Sequence, residues 1–198
     1  MGKPVPPLQE FLDVVNAIYG LHCDCLHGLA LVRKQIASSQ EVLVRDNPGM
    51  TIDDLDRKHF LYGDGDPRSP NTKIRHKTTQ GQFKARNAKG GQNEQLLGNL
   101  CLVLLYQYWE DFYRGLIADS VGMKKKDLLV PVMGDVHRLR RSIVHHGSIA
   151  LPDVESCEVL KWFHADEAIL IDEPKFRQMI DEIRLQVAEF APGHLGPP

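Results

Sequence analysis

The stretch Asn93–Val121, NEQLLGNLCLVLLYQYWEDFYRGLIADSV, carries the strongest helical pattern in the chain. Its apolar residues recur at three- and four-residue steps and cover most of a helix circumference. This pattern is typical of a helix at the centre of a bundle. Tyr106, Trp109 and Phe112 are therefore predicted as core residues rather than base-stacking groups.

Three amphipathic segments surround this helix in the sequence. One runs from about Pro7 to Val42, one begins at Pro131 and ends near Gly147, and one runs from Glu173 to Phe190. The predicted fold class is all-α, an antiparallel helical bundle of four to five helices. Residues 160–171 predict a small β-hairpin before the last helix.

Residues 44–92 show no sustained period and predict a mostly irregular basic insertion, a long loop between the first and second main helices. Residues 67–93 contain seven Lys and Arg and no acid, which is a charge pattern suited to phosphates. A solvated loop explains the same residues, and both interpretations stay open. The predicted RNA contacts are Lys73, Arg75, Lys77, Lys84, Arg86 and Lys89, with Phe83 able to stack on a base.

The 198 residues, 42% apolar and 25% charged, predict a single soluble domain over residues 1–198 with a disordered tail at 191–198. No apolar run reaches the roughly 18 residues of a membrane span, and the N-terminus lacks a signal core, so we expect a cytoplasmic protein without a membrane partner. His22–His27 resembles a metal-ligand cluster, but helical residues two apart point about 160° from each other. We therefore expect neither a metal nor a cofactor, and four reduced cysteines.

A chemically suggestive stretch, Arg140–Gly147 (RRSIVHHG), ends the predicted third helix. At 100° per residue, Arg141 and His145 fall on the outward face, with Arg140 and His146 at the edges of the apolar stripe. A His moves protons near neutral pH, and an Arg neutralises charge on a phosphate. The pair suits metal-free RNA cleavage. A basic helix end that caps its own carbonyl groups is the other interpretation.

This stretch resembles the signature of HEPN domains, in which an Arg and a polar residue precede a His. The resemblance aligns the family's Arg with Arg140, its polar residue with Arg141 and its His with His145. The polar position usually holds Asn, Asp or His, so Arg141 departs from the pattern. Tyr106–Arg114 is similar to the partner helix of one plasmid-borne HEPN group, in which a Trp–Glu pair precedes the Arg/His helix. The resemblance spans about Asn93 to Phe190.

The resemblance implies a homodimer whose Arg/His helices face each other across one composite cleft. It implies a metal-independent endoribonuclease that uses the RNA 2′-OH as nucleophile, in toxin–antitoxin, abortive-infection or other defence systems. Further implied partners are an antitoxin or a nucleotidyltransferase-like protein. Glu110 either orients the site Arg or pairs with Arg114 one turn on. The implied catalytic set is Arg140, Arg141, His145, His146 and Glu110, with Asp135 and His137 bordering the cleft.

Two other functions stay open at this point. Other HEPN proteins are inactive and serve as scaffolds or as RNA- or nucleotide-binding modules, and Arg141 at the usual Asn/Asp position keeps this alternative. The third interpretation is an unrelated helical interaction protein with Arg and His on its surface. The sequence also leaves open whether Arg140 or Arg141 contacts the phosphate.

Overall fold

The computed structural model describes residues 6–66, 69 and 71–190. The predicted tail at 191–198 and the base Arg68 lie outside these residues. The chain groups into two compact units where the sequence predicts one domain. A helical unit comprises residues 1–24 and 95–198, and a basic unit comprises residues 25–94. The basic unit has 12 Lys and Arg against eight Asp and Glu, whereas the helical unit has 12 against 18.

The predicted all-α bundle is confirmed. The long first helix α1, Pro7–Asp46, contributes its beginning to the helical unit and its remainder to the basic unit. Short 3-10 turns at Lys125–Asp127 and Pro152–Ser156 lie between the later helices. These later elements are α4 (Gln92–Tyr108), a π-helical turn (Trp109–Tyr113), α5 (Arg114–Ser120), α6 (Pro131–His145) and α7 (Glu173–Ala188).

The core of the helical unit forms where the apolar faces of these helices meet. The Phe11 ring lies 5.2 Å from the Trp109 ring and 5.5 Å from the Tyr113 ring, between centroids. Burying one such side chain contributes about 1.5–3 kcal/mol. The apolar face of each helix supplies fully buried residues, including Val15, Leu102, Leu105, Ile117, Val136, Leu139, Phe176 and Ile180.

The helix predicted at the centre of the bundle is buried on one side only. Phe112, predicted as core, is 58% exposed, because the chain places nothing over the opposite side of α4 and α5 in the described residues. Residues four apart are neighbours on a helix surface, so the exposed apolar side chains follow one another along the helix. This apolar ridge consists of Leu96, Leu100, Leu104, Tyr108, Phe112 and Leu116.

The expectation of a mostly irregular segment at 44–92 is wrong. Helix α2 (Ile52–Asp56), strands β1 (His59–Asp64) and β2 (Lys73–Thr79), and helix α3 (Gln80–Arg86) form there. Capping boxes begin both short helices, with Asp54 three residues after Thr51 and Gln82 three residues after Thr79. These local hydrogen bonds stabilise short helices that do not need apolar residues at regular spacing. The sequence of this segment therefore shows no sustained helical pattern.

The two strands pair antiparallel as a hairpin. Tyr62 pairs with His76 and Gly63 with Ile74, so Arg75 is an extra residue on β2 and forms a bulge. Behind the hairpin, the Phe60 ring stacks on the buried Phe83 ring at 5.0 Å.

The structure contains a small β-hairpin, as predicted, but it is formed by β1 and β2 rather than by residues 160–171 before the last helix. Residues 160–171 contain no strand pair of their own, and an isolated bridge joins Ala168 to Ile149 instead. The Ile169 N–H donates to the Ser148 carbonyl at 2.7 Å. Because Ile169 and Ile171 are fully buried, this segment lies over the core and pairs with the chain that leaves α6.

Two helical glycines give opposite predictions for replacement by Ala. A Cβ at Gly98 in α4 would overlap the Ile171 carbonyl oxygen, whereas a Cβ at Gly134 in α6 would meet only Arg138 Nη1, at 3.5 Å. We expect Gly98→Ala to lower the free energy of unfolding by about 1–3 kcal/mol through overpacking. Gly134→Ala should raise it by up to about 1 kcal/mol through helix propensity. Urea unfolding of both variants checks this, and equal stabilities would contradict the close approach.

Candidate active site at the end of helix α6

Helix α6 presents its polar face outward because Val132, Val136 and Leu139 are buried on the other face. It begins with Pro131 at its first position and ends at His145. Gly147 follows with a φ of 59°, and Ser148 adopts a φ of 66°. A left-handed residue after a helix reverses the chain and is favourable for glycine. The predicted end of the helix is thus in place.

Buried hydrogen bonds fix the end of α6. The Ser142 hydroxyl donates to the Arg138 carbonyl at 3.2 Å and accepts the Leu151 N–H at 3.1 Å. Asn99 Nδ2 on α4 donates to Ser148 Oγ and to the Ile169 carbonyl, both at 3.2 Å. These bonds hold the chain after α6 against the core, so the Arg/His turn has a rigid support.

The structure brings Arg140 and His145 together. Arg140 Nη1 lies 3.4 Å from His145 Nε2. A guanidinium only donates, so a hydrogen bond in this contact requires Nε2 as the acceptor, which is the tautomer with the imidazole proton on Nδ1. Arg140 Nε is buried and has no hydrogen-bond partner in the described part of the chain. Buried donors without an acceptor are rare in folded proteins, and a catalytic role or a bound water or ion is a usual explanation for one.

Arg141 is engaged elsewhere. Its Nη1 donates to Asp153 Oδ2 at 2.8 Å, in the 3-10 turn that follows α6. Both side chains are partly exposed, so the ion pair is screened by solvent and contributes little to stability. His146 is exposed at the C-cap, where its N–H donates to the Ser142 carbonyl. Of the two arginines in this turn, Arg140 is therefore the one that has no carboxylate partner among the described residues.

Of the two roles predicted for Glu110, the structure shows the pairing with Arg114. Its carboxylate receives Arg114 Nη1 at 2.9 Å and Lys125 Nζ at 3.0 Å. Burial alone would raise the pKa of Glu110, but hydrogen bonds from Lys125 and Arg114 outweigh it and lower the pKa. Among the described residues, no hydrogen bond joins it to Arg140 or Arg141. Glu110 therefore fixes neighbouring cations rather than the site Arg.

His137 lies one turn before Arg141 and packs on Tyr106, with ring centroids 5.2 Å apart. Burial, and then the charges of Arg141 and Arg140, lower the pKa of His137. Burial and the nearby Glu110 raise the pKa of Tyr106. Both shifts favour the uncharged form of the ring. The sequence placed His137 at the border of the cleft but gave no reason to expect its aromatic partner.

Asp135, also expected at that border, is instead fully buried. Its carboxylate accepts the N–H groups of Glu158, Val159 and Leu160 at 2.7–3.0 Å. Burial and the charge of Asp135 also raise the pKa of the Cys157 thiol to about 12, so this cysteine is an unreactive thiol. Asp135 organises the loop rather than the cleft.

A cavity of about 580 Å³ opens beside the first half of α6. The π-helical turn forms one wall, and π-helical turns occur frequently at functional sites. Polar and aromatic residues of the lining are Tyr106, Trp109, Glu110, Arg114, His137 and Arg138.

The predicted RNA-binding bases of the basic unit fall into two groups. Lys84 is a structural residue: Nζ donates to Asp56 Oδ1 at 2.7 Å and to Gln40 Oε1 at 2.8 Å. The hydrogen bond from Lys84 is the main cause that lowers the pKa of Asp56. Phe83 is buried, so it is not placed to stack on a base.

Arg75 pairs with Asp64 at 2.6 Å, and Arg86 contacts His76 and the Phe83 ring. The remaining three bases are exposed and have no ion pair in the described part of the chain; they are Lys73, Lys77 and Lys89.

Comparison with known protein families, with curated proteins and with solved structures finds no match. No helix of the described residues is long and apolar enough to cross a membrane. Within the same residues, no three His, Cys, Asp or Glu side chains are arranged to hold a metal ion.

The lowered pKa of His137 can be measured directly. We expect its imidazole to titrate below the ordinary value of 6.5, because burial and two neighbouring guanidinium groups disfavour the cation. Replacing Arg140 and Arg141 together by Gln should raise the midpoint partway, since burial remains. An NMR titration of the imidazole signals measures both proteins, and a wild-type midpoint at or above 6.5 contradicts the arrangement.

Proposed function

We propose that the protein is a metal-independent endoribonuclease of HEPN type that cleaves RNA by attack of a 2′-OH on the adjacent phosphorus. The observation that carries this proposal is the Arg140–His145 pair, with its 3.4 Å contact and an Arg140 Nε–H that has no acceptor among the described residues. A phosphate oxygen supplies that acceptor and draws the guanidinium toward it. His145 Nε2 is then free to accept a proton.

In the proposed reaction, His145 Nε2 takes the proton of the 2′-OH while the 2′-oxygen forms its bond to phosphorus. Arg140 stabilises the charge that builds on the phosphorane oxygens. The bond from phosphorus to the 5′-oxygen breaks, and His145 of a second copy delivers a proton to that oxygen. The products are a 2′,3′-cyclic phosphate and a 5′-OH.

The apolar ridge supports self-association of the chain. It consists of six large side chains, of which Leu100 is 65% and Phe112 is 58% exposed. Exposed apolar patches mark interaction sites in soluble proteins. A homodimer supplies the second His145 that the reaction uses as its acid. The function in toxin–antitoxin or other defence in the cytoplasm, with an antitoxin or nucleotidyltransferase-like partner, rests on the family resemblance alone.

One observation favours a second candidate, a catalytically inactive HEPN module that binds RNA or serves as a scaffold. Arg141 occupies the usual Asn or Asp position and is held by Asp153 at 2.8 Å. That ion pair replaces the polar group that the family places beside the phosphate. Binding of RNA without cleavage by the wild-type protein would favour this candidate.

The decisive variants are His145→Ala and Arg140→Ala, assayed on a mixed-sequence RNA in EDTA. We expect His145→Ala to lower the cleavage rate by about 10²–10⁴, the usual contribution of a positioned proton transfer. Arg140→Ala should lower it by about 10²–10³ through lost charge stabilisation. His164→Ala is the matched control, since His164 is an exposed histidine outside the Arg/His turn, and this variant should cleave as wild type. Full activity of a folded His145→Ala protein would overturn the proposal.

The exposed bases of the basic unit generate a separate expectation. Replacing Lys73, Lys77 and Lys89 together by Gln should weaken RNA binding and reduce its log–log salt slope by about 2, as three lost contacts to a single strand predict. Stability should not change, because these side chains are exposed.

Lys84→Gln is the control for that triple variant. It disrupts the cluster with Asp56 and Gln40 and should lower the free energy of unfolding by about 1–3 kcal/mol while keeping the salt slope. Binding titrations at several salt concentrations, with urea unfolding alongside, separate the two effects. An unchanged slope in the triple variant rules out these lysines as phosphate contacts.

A further inference from the structure

The cavity beside α6 has the size and lining of a small-ligand site. Its volume of about 580 Å³ falls within the range of about 300–1,000 Å³ that is usual for such sites. Apolar groups from Leu128, Val130 and Met133 line it together with the aromatic residues Tyr106 and Trp109. This mixture suits a ligand that is flat and apolar on its faces and polar at its edges.

Two rings form an aromatic wall. Tyr106 and His137 lie 5.2 Å apart between centroids with an interplanar angle of 41°. Burial and the neighbouring guanidinium groups lower the pKa of His137, which favours its uncharged ring over the cation. Aromatic rings of this kind stack on nucleobases with little regard to sequence, since every base has a π-face.

The charges of the cavity oppose a phosphate. Arg114 already faces Glu110 at 2.9 Å, and Arg138 faces the buried Asp135 at 3.3 Å. Glu158 adds a further carboxylate to the lining. Each guanidinium is thus matched by an acid, so the cavity favours an uncharged polar ligand over an anion.

The cavity and the Arg/His turn lie along one helix. At about 1.5 Å per residue, His137 is about 6 Å along the axis from Arg141 and about 12 Å from His145. A phosphate on Arg140 therefore leaves the neighbouring sugar and base within reach of the cavity.

We infer that this cavity binds the nucleobase of the nucleotide next to the scissile phosphate. This inference rests on the proposed function, because the proposed cleavage defines which phosphate is scissile. The base lies against Tyr106 and His137, and its polar edges face Glu158 and the Arg138 side. The phosphate stays outside, at Arg140.

Gly134 makes the test possible without damage to the fold. It lies in the cavity lining, and a Cβ there meets only Arg138 Nη1 at 3.5 Å. Gly134→Leu fills the space from an exposed position of α6, while Gly134→Ala is the matched control that leaves most of it open. Both replacements favour the helix over glycine, so loss of folding does not obscure the result.

The first measurement titrates adenosine, uridine and inorganic phosphate separately into the full chain and follows the Trp109 indole and His137 ring signals by NMR. We expect at least one nucleoside to shift these signals saturably in wild type and in Gly134→Ala, and not in Gly134→Leu. Phosphate should leave them in place. If neither nucleoside shifts them, or if phosphate alone does, the inference is wrong.

Cleavage assays separate this inference from the proposed function. On RNA, Gly134→Leu should lower kcat/KM by at least about fivefold, as expected from the loss of one stacked base, and Gly134→Ala should lower it less than Gly134→Leu does. Cleavage that depends on His145 but is unaffected by Gly134→Leu overturns the inference and keeps the proposed function. Nucleoside binding in a protein that does not cleave RNA overturns the proposed function and keeps the nucleobase site.

Discussion

The Asp135 carboxylate is the polar interaction on which the organisation around α6 depends. It is fully buried, and it accepts three successive backbone N–H groups of residues 158–160 as well as Arg138. A buried carboxylate is tolerated only when its lone pairs are satisfied in this way. The result is a loop tied to the middle of α6. Ser142 and Asn99 then tie the following segment to its end.

This anchoring explains why the polar side of α6 is free for chemistry. The buried side of the helix satisfies its polar groups internally, so Arg140 and His145 need not contribute to stability. Their contact at 3.4 Å is long for a hydrogen bond and leaves the Arg140 Nε–H without an acceptor in the described residues. Such a pair is suited to exchange its contact for one with a substrate.

Much of the fold follows from the sequence because the spacing at which apolar residues recur shows which side of a helix is buried. The bounds of α6 and the outward position of Arg141 and His145 could be predicted in this way. The helical pattern of residues 93–121 was misleading on one point, because it predicted that Phe112 is a core residue. Exposed apolar residues such as Leu100 and Phe112 show the same spacing whether a neighbouring helix of this chain or a second protein covers them. The hairpin at β1 and β2 was missed because capping boxes and a bulge, rather than period, define that region.

For the site, spacing identified which residues share a face but not which partner each one takes. Arg141 forms an ion pair with Asp153, and Lys125 forms one with Glu110, which also binds Arg114. The Arg141–Asp153 and Lys125–Glu110 pairs each link residues more than ten positions apart in the sequence. Lys84 was predicted from charge alone, yet its partners Gln40 and Asp56 come from two other helices. Long-range pairing of this kind is set by the packing of the helices, which no local pattern records.

The ends of the RNA products show most directly whether a 2′-OH is the nucleophile. The measurement uses an RNA with one preferred cleavage site, in EDTA, beside the same RNA with a single 2′-deoxynucleotide at that site. If the 2′-OH attacks, the products carry a 2′,3′-cyclic phosphate and a 5′-OH, and the deoxy-substituted bond stays intact. Cleavage of the deoxy-substituted bond, or products with a 5′-phosphate, would contradict attack by the 2′-OH.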